Sequence, residues 1–513
     1  MLRTAATLAA LATLLSACTH GPTHAVRWHK TSEITNRLQL ITLRTADLER
    51  AAALIPLAED FEPLPLPSSP ETVTVKTREV QTGWLRAAGI EILDERSQVP
   101  RAALDASYRA RRGRTPPRDE AGDLITGDGY HDAAMVEALL HAYAKEFPHI
   151  TRLEELGRTW EGRPILALLI TDHPDIQEDE PALLLNGAHH GNELLSVEPV
   201  LDAIEGLTHG FTADPQVRRW VEENEIWCVP VVNPDGLDRH WHLSTTTGRN
   251  NARDLDGDGV ASLREGVDLN RNYPFRWGEG GKTASSGEPG TAYHRGPAPG
   301  SEPETQAMMH LVRRERFVFS VSYHTAATSL LVPYTIDKVR GPHPSPAWAF
   351  ARGVLPRLDS TRAGRPYRLR RQLYPVDGTD HDWFMHETGA LAYLLELPLH
   401  NPDYGDHRDA IVRGARPLWQ AMLDRIEEGP TLTVHVVDAA TGEPHPAEVS
   451  IDEIPWHEGE RFTAHPRTGR FDFILPAPGT YHLRVSREGY ETVVREADVG
   501  REQVSLLVCQ RPH

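Results

Sequence analysis

The chain has 513 residues, room for roughly three to four domains at ~150 residues each. Hydrophobic residues are 39% and charged residues 25%, a balance that builds packed cores and excludes wholesale disorder. Lys and Arg number 54 against 73 Asp and Glu, a net charge of −19, whereas a nucleic-acid binder carries a basic domain or stripe.

After Met1-Leu2-Arg3 come fourteen uncharged residues, Thr4 to Ala17. They fall short of the ~20 needed to span a bilayer and suit the apolar region of an export signal. The segment ends Leu15-Ser16-Ala17-Cys18, which resembles a bacterial lipobox. That resemblance implies that residues 1–18 are a lipoprotein-type signal with lipid on Cys18. The protein is then an exported lipoprotein of the cell envelope (outer membrane or periplasm), or secreted if Cys18 merely neighbours an ordinary cleavage site. Lipid on Cys18 is the one expected membrane contact. Three cysteines are too few for a disulfide framework; Cys228 and Cys509 lie in strand-like runs and read as small packed hydrophobes.

Residues 19–120 read as a small α+β module and linker. Strands are expected at 38–42, 73–80 and 89–93 and helices at 47–54 and 81–88. An Arg- and Pro-rich stretch, 109–118, reads as the linker. From Tyr130 the pattern changes. Ala133, Val136, Leu139, Leu140 and Tyr143 have helical spacing within 132–146. Apolar runs at 165–171, 182–186, 225–232 and 317–323 then alternate with helical stretches at 197–207 and 302–315. That alternation predicts an α/β mixed twisted sheet flanked by helices over residues 121–428. After Gly429, period-two runs such as 432–436 and 481–485, with turns between them, predict an antiparallel β-sandwich over 429–513.

The chemistry concentrates in Asn186-Gly187-Ala188-His189-His190-Gly191-Asn192-Glu193. It follows a buried strand and precedes a helix, where open α/β sheets place their sites. An imidazole and a carboxylate three residues apart can converge on one Zn²⁺, which for catalysis needs three protein ligands and an open position. The same His-x-x-Glu spacing recurs at His445/Glu448 and His457/Glu460, read as exposed polar residues of the sandwich, so context has to choose.

The chain between Tyr130 and Glu428 resembles the zinc metallocarboxypeptidases (carboxypeptidase A/B-like). Ordered motifs carry the resemblance: Gly157-Arg158-Thr159-Trp160-Glu161-Gly162-Arg163, His190 with Glu193, Asn233-Pro234-Asp235-Gly236, Asp268-Leu269-Asn270-Arg271-Asn272, Ser322-Tyr323-His324, and Tyr374 with Glu396 at a separation of 22. It implies one Zn²⁺ on His190, Glu193 and His324. Glu396 is then the general base, and Asn270, Arg271 and Tyr374 hold the substrate's terminal carboxylate. Asp268 orients a ligand histidine from behind. Arg249 matches the family's oxyanion-stabilising Arg, with Arg253 as rival. His381, seven residues after Tyr374, matches the position facing the substrate's side chain; histidine there leaves the preference open. Gly479-Thr480-Tyr481-His482-Leu483-Arg484-Val485 and Gly489-Tyr490 resemble the transthyretin-like domain that follows the catalytic domain in one branch of the family.

The partners so implied are peptide or protein C-termini, with no nucleic acid. Two other readings are a zinc amidohydrolase acting on peptidoglycan stem peptides and a catalytically silent binding module. The latter is disfavoured because ligands and base are all present. Finally, Asp254, Asp256, Asp258 and Glu265 fit a twelve-residue calcium-loop pattern, so Ca²⁺ is a second candidate ion against the reading of an Asp/Gly-rich surface insertion.

Overall fold

The computed structural model of the chain describes residues 38–48, 50–51, 62–63, 71–78, 82, 85–86, 88–96 and 130–513, except 243–247, 260, 262–264, 282, 360–365, 399–400 and 402–405. Cys18 and the 109–118 linker lie outside the described residues, as do parts of the helices expected at 47–54 and 81–88.

The first unit is a four-stranded sheet in the order β2-β3-β1-β4. Its strands are β1 (Leu38–Arg44), β2 (Glu62–Pro63), β3 (Thr72–Arg78) and β4 (Asp94–Arg96). The returning strand expected at 89–93 comes at 94–96 instead. Gly89 turns with φ +74°, and Ile90, 2% exposed, drops into a small core with Ile41, Leu43 and Val75.

A larger sheet follows. Helix α1 (Ala133–Glu146) starts at Asp132, whose carboxylate accepts from the Met135 amide at 2.8 Å and caps the first turn. Then come β5 (Thr151–Arg158), β6 (Pro164–Ile170), β7 (Ala182–Gly187), α2 (Glu198–Ala213), α3 (Pro215–Glu222), β8 (Glu225–Val229) and α4 (Pro234–His242). The unit continues with α5 (Pro303–Glu315), β9 (Phe319–Thr325), β10 (Ser329–Leu331), α6 (Pro346–Val354), β11 (Arg368–Arg370), α7 (Asp380–Thr388), β12 (Leu391–Leu397), α8 (Asp406–Ala415) and α9 (Pro417–Glu428).

The sheet order is β11-β10-β12-β9-β7-β8-β6-β5. The central strands β8, β7, β9 and β12 run parallel. Every residue of β7, β8 and β9 is buried, because helices cover both faces; β7 and β8 read as mostly apolar runs, whereas β9 interleaves Ser320, Ser322 and His324 with its apolar residues. Two apolar clusters form, one on each side of the sheet, with Leu183, Leu185, Val321 and Tyr323 in one and Leu184, Trp227, Leu269 and Trp383 in the other.

The C-terminal strands are β13 (Thr431–Asp438), β14 (Glu448–Ile451), β15 (Phe462–Thr463), β16 (Arg470–Ile474), β17 (Gly479–Ser486), β18 (Val493–Val499) and β19 (Gln503–Gln510). They make two sheets, β16-β13-β19 and β15-β14-β17-β18, over one core. The sandwich is not wholly antiparallel as expected. Its first and last strands, β13 and β19, pair in parallel from Thr431–Gln503 to Asp438–Gln510, a pairing between chain-distant strands that no local turn signals. Cys509 is exposed rather than packed, because alternation on β19 turns its side chain outward; Cys228 is buried. His445 is also corrected: it is 3% exposed and bonds Gln510 Oε1 at 2.9 Å, not an exposed turn residue.

The sandwich packs on the large sheet through polar contacts. Arg470 donates to Asp179 O at 2.9 Å, Arg316 to Thr463 O at 3.0 Å and Tyr334 Oη to Glu460 at 2.5 Å. The last contact braces the segment 333–335 that walls the site described next.

Candidate metal centre and substrate cleft

The parallel strands set the site. β7 ends at Gly187, where an added Cβ would lie 2.3 Å from Ser196 O, so only glycine lets the chain turn this tightly. Ala188 takes a left-handed φ of +49°, and the loop carries His190 and Glu193 back over the strand ends. His324 lies near the end of β9. Glu396 is its register partner on β12, so ligand and carboxylate sit on neighbouring strands.

His190 Nδ1 lies 2.7 Å from Glu193 Oε1, His324 Nδ1 3.0 Å from Glu193 Oε2, and the two Nδ1 atoms 3.2 Å apart. All three residues are 5% exposed or less. Two imidazoles and a carboxylate whose donor atoms converge in a dry site fit a Zn²⁺ with an open position. Burial opposes the charge on Glu193, yet His190 and His324 hold its carboxyl well below the usual range.

Asp268 stands behind His190. Its Oδ1 lies 3.1 Å from His190 Nε2, and its Oδ2 accepts from Arg249 Nη2 at 2.7 Å and Nε at 3.1 Å. Burial works against this charge, but Arg249, then His190 and Arg271, keep Asp268 well below the carboxylate range. The histidine contact leaves Nδ1 free for a metal. Arg249 Nη1 reaches within 3.3 Å of His190 Nδ1. Arg253 points elsewhere, donating to Glu302 at 2.9 Å and lying over Trp160. Between these two arginines, the geometry places Arg249 at the centre.

Asn270 and Arg271 follow on a buried turn. Asn270 Oδ1 accepts from the Asp380 amide at 2.9 Å, and Arg271 Nη2 donates to Tyr374 Oη at 3.0 Å. Gly378 adopts φ +64° with its Cβ position 2.3 Å from Arg271 O, so the Tyr374–His381 turn packs directly on the arginine's backbone. Glu396 sits among these groups. Burial, then the neighbouring Glu193, pushes its carboxyl up to about 8. His190, Glu193, His324, Arg249, Asn270, Arg271, Tyr374 and Glu396 line one cleft of about 190 Å³, with Leu331, Thr335 and His381 also on its wall.

The two remaining motifs act as bracing. Thr159 and Arg163 each donate to Asp235 Oδ1 at 2.7 Å. Trp160 Nε1 and Asn251 Nδ2 each donate to Glu302 Oε2 at 2.9 Å. These bonds pin the chain next to Arg249. The calcium-pattern residues come together only in part: Asp254, Asp256 and Asp258 converge, whereas Glu265 Oε1 accepts from the amides of Leu255 and Asp256 at 2.8 and 3.0 Å.

Two site residues escaped the sequence. His189 is fully buried against Tyr273 Oη at 2.9 Å, and burial pushes its imidazole down to about 4. Tyr293 lies over both Arg249 and Arg271, with centroid distances of 5.3 and 5.8 Å. Nothing in local spacing marks an aromatic on a Gly/Ser-rich loop as a partner of arginines some 20 to 40 positions earlier in the chain.

A parallel-centred α/β sheet with a His-Glu-His set and an arginine-lined cleft at its strand ends defines a metallohydrolase-type site. The family model for zinc carboxypeptidases matches residues 136–409, and the chain belongs to that family. It is 28% identical over 300 residues to a zinc carboxypeptidase of Saccharothrix mutabilis subsp. capreolus, covering 55% of this chain and 65% of that protein. It is 32% identical over 420 residues to carboxypeptidase D of Anas platyrhynchos, covering 74% of this chain and 27% of that one. The chain therefore spans less than two thirds of these relatives' length. Carboxypeptidase A of Helicoverpa armigera shares the fold, with a TM-score of 0.51 at 20% identity over 76% of this chain and 97% of its own.

Proposed function

We propose that residues 121–428 hydrolyse the C-terminal peptide bond of peptides or proteins in a zinc-dependent reaction. The observation that carries this is the pairing of the His190–Glu193–His324 set with an Arg271–Tyr374 clamp in one cleft: an endopeptidase has no use for a carboxylate clamp. When bound, Zn²⁺ supplies Lewis acidity and a water of lowered pKa. The chain's own groups do the rest. Arg271 presents a planar fork of donors to the terminal carboxylate, Asn270 lies beside it, and Tyr374, 43% exposed, closes over it. Arg249 faces the charge that develops on the carbonyl oxygen. Glu396 takes the proton from the attacking water and delivers it to the leaving amine.

The test is mass spectrometry of a peptide pool incubated with purified protein. Ladders that lose one C-terminal residue at a time, abolished by a zinc chelator and by Glu396→Gln, support the reading. Internal cleavage, or ladders that survive both, refutes it.

The reading extends to the rest of the chain. Lipid on Cys18 tethers the exported protein to the envelope, and mass spectrometry of the mature N-terminus checks it. The described residues include no helix long and apolar enough to cross a membrane. The 429–513 sandwich supports the catalytic unit. The Asp254–Asp256–Asp258 cluster is a candidate Ca²⁺ site, checked by titrating Ca²⁺ calorimetrically.

A further inference from the structure

We infer that the cleft selects C-terminal residues whose side chain ends in a hydrogen-bond acceptor, acidic ones above all, with His381 as the selecting group. This rests on the carboxypeptidase reading. The last residue of a substrate carries its carboxylate and its side chain on one Cα. Holding the first at Arg271 and Tyr374 sends the second into the adjoining part of the cleft, walled by Leu331, Thr335, Val376, Thr379 and His381.

Of these five only His381 is ionisable. It is 1% exposed. Its Nδ1 faces Asp380 Oδ1 at 3.3 Å and its Nε2 faces Asp382 Oδ1 at 3.6 Å. A carboxylate opposite each ring nitrogen is the setting of an imidazolium. The second distance is too long for a hydrogen bond, and Nε2 has no hydrogen-bond partner; nor does the Thr379 hydroxyl. A buried donor without an acceptor is costly, and an incoming acceptor removes that cost.

None of these five wall residues is acidic, so a basic side chain meets no carboxylate on this wall. Both oxygens of Asp382 accept from the Thr335 amide, at 3.0 and 2.9 Å, and Oδ2 also from its hydroxyl at 2.8 Å. Asp380 Oδ1 faces His381, and its Oδ2 lies 3.6 Å from buried His189. Neither aspartate lines the cleft. The carboxylates that do, Glu193 and Glu396, belong to the metal and proton chemistry. A Lys or Arg side chain therefore meets the unbonded Nε2 of His381 and the Arg271 guanidinium.

The experiment uses the zinc-loaded full chain and six N-blocked dipeptides that share a penultimate residue and end in Glu, Gln, Leu, Phe, Lys or Arg. kcat/KM is expected to be about tenfold or more higher for Glu than for Lys or Arg, with Gln between. In His381→Leu the Glu-to-Leu ratio falls by about tenfold or more, and in His381→Gln, which keeps a neutral donor, it falls less. A ratio is independent of how much of a variant folds. Cleavage of Lys or Arg as fast as Glu, or a ratio unmoved in His381→Leu, overturns the assignment and leaves the carboxypeptidase reading standing. Release of no residue from any of the six overturns that reading and this one together.

Discussion

Replacing Asp268 with Asn tests how one carboxylate serves two groups. The substitution keeps the shape and removes the charge that accepts from Arg249 Nη2 at 2.7 Å and Nε at 3.1 Å and faces His190 Nε2 at 3.1 Å. The new amide presents a donor where Arg249 already offers donors, so the guanidinium loses its hold. Removing the group behind a metal-binding histidine costs ~10–100-fold in metal affinity, so the zinc Kd is expected to rise by that factor. A hydrogen bond to a charged group is worth roughly 1.5–3 kcal/mol. At about 1.36 kcal/mol per decade, losing the aim of Arg249 lowers kcat at saturating zinc by roughly 10- to 150-fold. Competition with a chromophoric chelator gives the Kd, steady-state hydrolysis at saturating zinc gives kcat, and thermal melting checks the fold. Arg249→Met is expected to lower kcat while leaving the zinc Kd much closer to wild type. A folded Asp268→Asn protein whose Kd and kcat both stay within about threefold of wild type refutes the coupling of the two contacts.

Three further outcomes are expected. Tyr293→Leu removes the ring over Arg249 and Arg271; at roughly 0.5–1 kcal/mol per exposed cation–π contact, kcat/KM falls by about fivefold while Tyr293→Phe stays within about twofold, and equal losses in both variants contradict the stacking role. Peptides with an amidated C-terminus give the Arg271–Tyr374 clamp no anion, so their KM rises by about tenfold or more; equal KM values for acid and amide argue against a clamp. Glu180 is pushed up to about 8 by burial, then by Glu178 and Asp172, whereas the unfolded chain ionises it at about 4.3. The stability it lends is full below about 4.3 and is lost as pH rises through 8. Glu180→Gln, which stays neutral, therefore raises the melting temperature more at pH 8.5 than at pH 5, and a constant offset between the two melting curves would refute this.

Much of the site was legible because it is written locally. His190 and Glu193 are three residues apart on a loop that a buried apolar run announces, and Glu396 ends another such run. Asn270 and Arg271 are adjacent, as are the residues of the Tyr374–His381 turn. The order of these motifs sufficed to assemble a list. The pairing between them was not legible. Arg253 remained a rival to Arg249 until Glu302 and Trp160 drew it away, and His445 gave no sign that Gln510, 65 residues later, would bury it. Glu265 fitted the spacing of a cation loop, but its Oε1 accepts from backbone amides. The parallel β13–β19 pair likewise joins the two ends of the sandwich.

The sequence by itself determined the elements and the inventory of reactive groups, because helix and strand periods and turn residues act over a few positions. The resemblance of its ordered motifs to the zinc metallocarboxypeptidases supplied the proposed metal set, base and clamp. Only the tertiary structure decided what each group faces. Asp268 divides its carboxylate between His190 and Arg249, Tyr293 covers two arginines, and His381 is caught between two aspartates of its own helix with its Nε2 unbonded. Burial removes the water that would otherwise satisfy these groups, so partners brought from distant parts of the chain settle their charge and their chemistry.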